Sequence, residues 1–178
     1  MPDRLLILPD NIPPHKALAA HSPSPEQRLE MCRLAFRGVS GAEVSDMELM
    51  RGGVSYTSDT VRHIRATCPQ NELFLVIGSD MLESFTQWHE FEYILSSCVL
   101  LAVSRESDHA LREKKIAEQL SSGYHADVRV ISCRAVPASS TEVRAQLAKG
   151  EKPDVLPDDV YEYIRLHRLY GCCECKAE

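Results

Sequence analysis

Residues 73–80 read Leu-Phe-Leu-Val-Ile-Gly-Ser-Asp, an apolar run of strand length closed by a turn. Such a run suits a strand inside a parallel sheet, where both faces are covered. The residues that follow, Leu82, Phe85 and Trp88, recur at helical spacing. Strand, turn and helix therefore follow one another, and the same order repeats outward in both directions.

Downstream, Val99 to Val103 is the next apolar run and ends at Ser104-Arg105. A polar helix from about Ala110 to Leu120 leads to a last strand, Val128 to Ile131. Ser139 and Glu142 form a capping box for a helix stopping at Gly150, and a final helix from Pro157 carries Val160 and Ile164 inward. Upstream, Thr57 to Thr67 reads as a helix with Val61 and Ile64 inward, after a break at Gly52-Gly53. A weaker strand is expected around Val44 to Leu49. Ser24, Pro25 and Gln27 announce a helix with Leu29, Cys32 and Phe36 on one side and Gly38 as its stop. Leu5 to Leu8 is a short apolar strand, expected to be buried on both faces.

Alternation of this kind predicts an α/β fold, a mostly parallel sheet with helices on both faces. Ligands of such sheets sit beyond the carboxyl ends of the strands. The sequence suggests one domain over residues 1–171, with 172–178 a disordered tail.

Bulk composition narrows the function. A net charge of −6 argues against a general nucleic-acid binder, which needs a basic face. No apolar run approaches the roughly 20 residues that cross a bilayer, and Asp3 and Asp10 flank an N-terminal stretch too short for a signal peptide. A cytoplasmic protein is the plain expectation. Of seven cysteines, Cys32, Cys68, Cys98 and Cys133 read as small hydrophobes. Cys172, Cys173 and Cys175, with His167 nearby, lack a second pair at zinc-site spacing and read as reduced thiols on a tail.

Of five clusters, four fall in loops after strands or at helix starts. Pro13-Pro14-His15-Lys16 is a stiff loop that either pre-positions an imidazole and an ammonium beside an anion or is an ordinary exposed turn. Ser55-Tyr56-Thr57 precedes a helix whose amides favour an anion, with N-capping by Thr57 or Ser58 as the compatible alternative. Gly78 permits close approach of a ligand to the backbone, and Asp80 suits a ribose hydroxyl or a metal; an Asp-capped turn explains the same residues. Trp88, the single tryptophan, is either a core aromatic or a face for a flat, cationic ring. Ser139-Ser140-Thr141-Glu142-Val143-Arg144 is the most specific of these signals, because the capping box explains Ser139 and Glu142 but not Thr141 and Arg144. His21, His63, His109 and His125 read as surface residues.

Taken in order, these pieces resemble the nicotinate-mononucleotide adenylyltransferases. The resemblance rests on Pro-Pro-His-Lys at 13–16, Arg28-Leu29-Glu30-Met31, Asp46 with Glu48-Leu49, Ser55-Tyr56-Thr57 with Asp59-Thr60, and Ile77-Gly78-Ser79-Asp80. It continues through Trp88, Ser104-Arg105, Ser139-Ser140-Thr141 with Arg144, Tyr163-Ile164 and Leu169-Tyr170.

The resemblance implies a Rossmann-like nucleotidyltransferase fold and adenylyl transfer from ATP to nicotinate mononucleotide. On its terms Tyr56, Thr57 and Trp88 hold the nicotinate ring and its carboxylate. Gly78 and Asp80 meet the adenosine, and Lys16 and Arg105 approach the mononucleotide phosphate. His15, Ser139, Ser140, Thr141 and Arg144 bind the ATP phosphates, with Lys16 and Arg144 assisting transfer. Magnesium accompanies the ATP, the partners are small nucleotides, and a homo-oligomer is compatible with the pattern.

Members of that family open with a strand, a glycine-rich turn carrying Phe-Asp-Pro and His-x-Gly-His, and a helix. This sequence begins at the counterpart of the second strand. The expectation is that the missing segment belongs to a longer reading frame ahead of Met1, with a real truncation as the alternative, and that the chain as written folds poorly or exposes a sheet edge where that strand would lie between Leu5–Leu8 and Leu73–Ile77. The other class of function that fits is a nucleotide-binding module without catalysis, and within the fold an adenylyltransferase for another phosphorylated acceptor.

Overall fold

A computed structural model describes residues 3–14, 22–105, 110–134 and 138–172. In chain order the first elements are β1 (Leu5–Ile7), α1 (Pro25–Ala35), β2 (Ala42–Val44), α2 (Met47–Arg51) and α3 (Thr57–Thr67). β3 (Phe74–Gly78), a 3-10 stretch (Ser79–Gln87), α4 (Phe91–Ser97), β4 (Val99–Arg105), α5 (Ala110–Tyr124) and β5 (Val128–Cys133) follow. α6 (Ser140–Ala148), α7 (Asp158–Leu166) and a short 3-10 turn (Leu169–Gly171) complete the series. Among the described residues no helix is long and apolar enough to cross a membrane.

The chain divides into two compact units. One comprises residues 1–55 and 137–178, the other residues 56–136.

In the second unit β3, β4 and β5 form a parallel sheet in that order, with Ile77 opposite Ala102 and Leu100 opposite Val128. Parallel neighbours require crossovers, and α4 and α5 supply them. Side chains alternate along β3. Ile77 is buried, whereas Phe74 and Val76 on the opposite side are 40% and 54% exposed. Phe85 and Leu82 of the 3-10 stretch pack under the sheet with Ile94, Leu95, Leu100, Ala102 and Leu120. Phe85 and Leu100 are 0% exposed, so each adds about 2 kcal/mol of burial free energy.

The first unit holds a two-stranded parallel sheet, Leu5 opposite Ala42 and Ile7 opposite Val44. Its core lies among helices instead, where Met31 of α1, Leu147 of α6, Val160 and Ile164 of α7, and Leu169 and Cys172 come together. Ser24 caps α1 as its sequence foretells, its hydroxyl accepting from the Gln27 amide while the Gln27 side chain accepts from the Ser24 amide.

Several expectations need correcting. β1 is not buried on both faces. Leu5 is 43% exposed and Leu6 and Ile7 are half-buried, because β2 is its one strand neighbour among the described residues. The weak strand of 44–49 is the end of β2 followed by the helix α2, terminated by Gly52 at φ 71°. Leu82 and Phe85 sit on a 3-10 stretch rather than an α-helix, and Trp88 follows it in extended backbone. α4 has no counterpart in the expected elements.

Candidate functional site

In the second unit, α3 starts at Thr57 with Tyr56 as its N-cap residue, and no side chain caps it. The expected capping by Thr57 or Ser58 does not occur. The Ser58 hydroxyl instead shares a hydrogen bond with His89 Nδ1 at 3.2 Å. The first turn of α3 therefore keeps backbone amides directed at its N-terminal end, which favours negative charge there.

His89 joins this helix start to the turn that carries Trp88. Its ring stacks on Tyr56 with centroids 4.3 Å apart and planes 25° from parallel. Trp88 is half-buried, its ring 5.0 Å from Phe85 and tilted by 33°, and its amide donates to the Phe85 carbonyl. The indole rests on the core through Phe85 and is partly exposed. Tyr56, Thr57 and Trp88 share this region through a residue that sequence reasoning passed over.

Next in sequence, Glu90 has left-handed backbone at φ 51°. Arg62 donates to Glu90 Oε2 at 2.9 Å and to Asp59 Oδ1 at 3.1 Å, and its guanidinium lies 4.6 Å over the Tyr93 ring. The hydrogen bond from Arg62 holds the Glu90 carboxyl below its usual range.

At the carboxyl end of β3, Gly78 and Asp80 are exposed. The Asp80 carboxylate folds back so closely that a Cβ on residue 78 would overlap Asp80 Oδ1. Arg105 ends β4, the neighbouring strand, and its side chain lies outside the described part.

In the first unit, Ser139 caps α6. Its hydroxyl accepts from the Glu142 amide at 3.1 Å and its own amide donates to Glu142 Oε2 at 2.9 Å. The Ser139 hydroxyl and amide lower the Glu142 pKa. Ser139, Ser140 and Thr141 are exposed. Arg144 is half-buried and donates through Nε to the Ser140 carbonyl at 2.9 Å, which fixes the guanidinium beside the hydroxyl-bearing turn. Burial raises the Tyr170 phenol, against the nearby charges of Arg144 and Arg28.

The loop after β1 is anchored from α1. Arg28 donates to the carbonyls of Pro23 at 2.7 Å, Asp10 at 2.7 Å and Asn11 at 3.0 Å. Ser55, buried, accepts from the Asn11 amide at 2.8 Å, and Asn11 Nδ2 donates to the Gly53 carbonyl. Ser55 is therefore a brace of this loop. Pro13 and Pro14 continue the loop, and His15 and Lys16 lie outside the described residues. Cys172, placed by the sequence at the start of a tail, is 4% exposed in the helical core, while Cys173 and Cys175 lie outside the described residues. Among the described residues no group of three or more His, Cys, Asp or Glu side chains is spaced to hold a metal ion.

Parallel strands joined by crossover helices are shared by many α/β proteins; the class is given by residues 2–146, which match the cytidylyltransferase-like family. A protein of Listeria monocytogenes serotype 4b, named "Probable nicotinate-nucleotide adenylyltransferase", is 32% identical over 95% of this chain and 82% of its own. A Gemmatimonas aurantiaca protein of the same name is 36% identical over 94% of this chain and 78% of its own. The chain belongs to the nicotinate-nucleotide adenylyltransferase family, a family of transferases.

The solved structure of Plasmodium falciparum nicotinic acid mononucleotide adenylyltransferase complexed with NaAD shares the fold. It superposes with a TM-score of 0.74 over 96% of this chain and 84% of its own, at 16% identity. The Rossmann-like α/β fold expected from the sequence is the fold of the protein.

Proposed function

We propose that this chain transfers the adenylyl group of ATP to nicotinate mononucleotide, giving nicotinic acid adenine dinucleotide and pyrophosphate, as a step of NAD synthesis. Similarity to nicotinate-nucleotide adenylyltransferases along 94–95% of the chain carries the reading.

The reaction forms a bond from a phosphate oxygen of the mononucleotide to the α-phosphorus of ATP and breaks the bond to the β-phosphate. The nucleophile is already anionic at neutral pH, so no strong general base is needed. Positioning and neutralisation of charge supply the acceleration.

In this reading Tyr56, Thr57 and Trp88 receive the pyridine ring, and the uncapped amides at the start of α3 receive its carboxylate. Gly78 and Asp80 face the adenosine. Ser139, Ser140, Thr141 and Arg144, with His15, hold the ATP phosphates, and Lys16 and Arg105 neutralise the mononucleotide phosphate and the forming diphosphate. Lys16 and Arg144 are the residues assigned to assist transfer. Magnesium would accompany ATP and would offset the charge of its phosphates.

The family match runs from residue 2 to residue 146 and so includes residues of both compact units. The working partners are two small nucleotides, and the working compartment is the cytoplasm. The test is incubation of the chain with magnesium, ATP and either nicotinate or nicotinamide mononucleotide, with separation of the dinucleotide and assay of pyrophosphate. Dinucleotide and pyrophosphate in equal amounts, faster with the nicotinate form, are expected. Nucleotide binding without pyrophosphate release would replace this reading by that of a non-catalytic binding module.

A further inference from the structure

We infer that the His89 side chain is a positioning residue for the pyridine ring, locking the Tyr56–Ser58 helix start to the Trp88 turn so that both walls of the ring site stand at a fixed spacing. The inference rests on the proposed binding of nicotinate mononucleotide at Tyr56, Thr57 and Trp88.

Three contacts define the lock. The imidazole stacks on Tyr56 at 4.3 Å and 25°. Its Nδ1 shares a hydrogen bond with the Ser58 hydroxyl, and Ser58 is 0% exposed, so that hydroxyl is satisfied inside the protein rather than by water. Its backbone continues directly from Trp88. Glu90 is the one neighbour that shares these groups, its carboxylate also taking a hydrogen bond from the Ser58 hydroxyl. Glu90 Oε2 stands 3.7 Å from Nδ1 but takes the stronger bond from Arg62 at 2.9 Å, and Arg62 is held in turn by Asp59 and the Tyr93 ring.

The physical consequence is preorganisation. The His89 side chain is 49% exposed, so it adds little to the core. A half-exposed aromatic held by a stack and a hydrogen bond between two loops serves their relative placement. A ligand gripped between Tyr56 and Trp88 then spends less of its binding energy on ordering them.

The fluorescence of Trp88, the single tryptophan, reads the outcome during titration of the full chain with nicotinate mononucleotide, and separately with ATP. His89→Ala is expected to weaken mononucleotide binding about fivefold, the scale of one lost aromatic pair, to leave ATP binding unchanged, and to lower the melting temperature, because the buried Ser58 hydroxyl loses a partner. His89→Phe keeps the ring face and is expected to recover most of that affinity. Equal mononucleotide affinity in His89→Ala and the unsubstituted chain overturns the inference and leaves the proposed function standing. So does failure of His89→Phe to recover affinity, since the stack would then not be the device. An unsubstituted chain that binds no nicotinate mononucleotide overturns the ring site and the role of His89 with it.

Discussion

Ser139 and Glu142 satisfy each other twice, the serine hydroxyl taking the glutamate amide and the glutamate carboxylate taking the serine amide, while Ser140 and Thr141 stand exposed between them. The Ser139 hydroxyl is thus engaged in the cap, whereas those of Ser140 and Thr141 are exposed for the proposed contact with ATP. Ser139→Ala removes the cap and is expected to cost about 1 kcal/mol of stability. Ser140→Ala removes no cap; it is expected to leave the melting temperature unchanged and weaken ATP binding about tenfold, the scale of one bond to a charged group. Calorimetric melts beside ATP titrations separate the two effects. A drop in melting temperature for Ser140→Ala equal to that of Ser139→Ala would remove the distinction.

Glu142 also makes the cap sensitive to acid. Its carboxyl is lowered from the usual 4.5 by the Ser139 hydroxyl, so the support it lends is present above that value and lost as pH falls through the lowered one. Glu142→Gln can keep the bond from the Ser139 amide and is expected to flatten this acid-side loss, measured as the melting temperature between pH 6 and about 3.

Gly78 leaves room for the Asp80 carboxylate, and its own backbone, at φ −67°, suits any residue. A methyl group at 78 would displace the Asp80 carboxylate. Gly78→Ala is expected to weaken ATP binding by as much as Asp80→Ala, and the double variant by no more than either single one, because both act through one carboxylate. Additive losses in the ATP titration would show that the glycine serves the ligand directly.

What the sequence made legible was local chemistry. The capping boxes at Ser24 and Ser139 are written in residues that interact within one turn. The end of β2 and the helix α2 were misread together, because 44–49 holds too few residues for its period to declare itself. α4 was missed because its start depends on Glu90 adopting left-handed backbone, which no local signal announces. His89 escaped for a related reason. Its partners Tyr56 and Ser58 lie about thirty residues away, and nothing in Trp-His-Glu marks a stack with a distant tyrosine. The role of Arg28 was equally hidden, since its partners are backbone carbonyls, which every residue possesses.

Cys98 and Cys133 should differ sharply as nucleophiles. Cys98 is buried, its thiol donates to the Ile94 carbonyl at 3.1 Å, and burial pushes its pKa up to about 11 from an ordinary 9.0. Near pH 8 that leaves about a hundredfold less thiolate than an unshifted thiol. The neutral thiol is the stabilised form, so its contribution persists below pH 9 and is lost only as pH rises through about 11. Cys133, exposed at the end of β5, carries no such protection. Iodoacetamide at pH 8 followed by mass mapping is expected to modify Cys133 in the folded chain and Cys98 only in urea. Equal labelling of both in the folded chain would contradict the burial of Cys98.

Arg28 offers the strictest test of how the first unit holds the loop after β1. One guanidinium donates to three carbonyls, two of them at Asp10 and Asn11 in the loop leading to His15 and Lys16. Loss of three bonds from a charged donor leaves carbonyls that water can partly satisfy, so Arg28→Ala is expected to cost about 3 kcal/mol. Arg28→Lys keeps the charge but not the planar fork, and one ammonium cannot reproduce the guanidinium's paired contacts. If the charge alone matters, lysine restores the melting temperature and the resistance of residues 10–14 to proteolysis. The fork geometry requires instead that lysine recover only part of the stability and leave the loop open to cleavage.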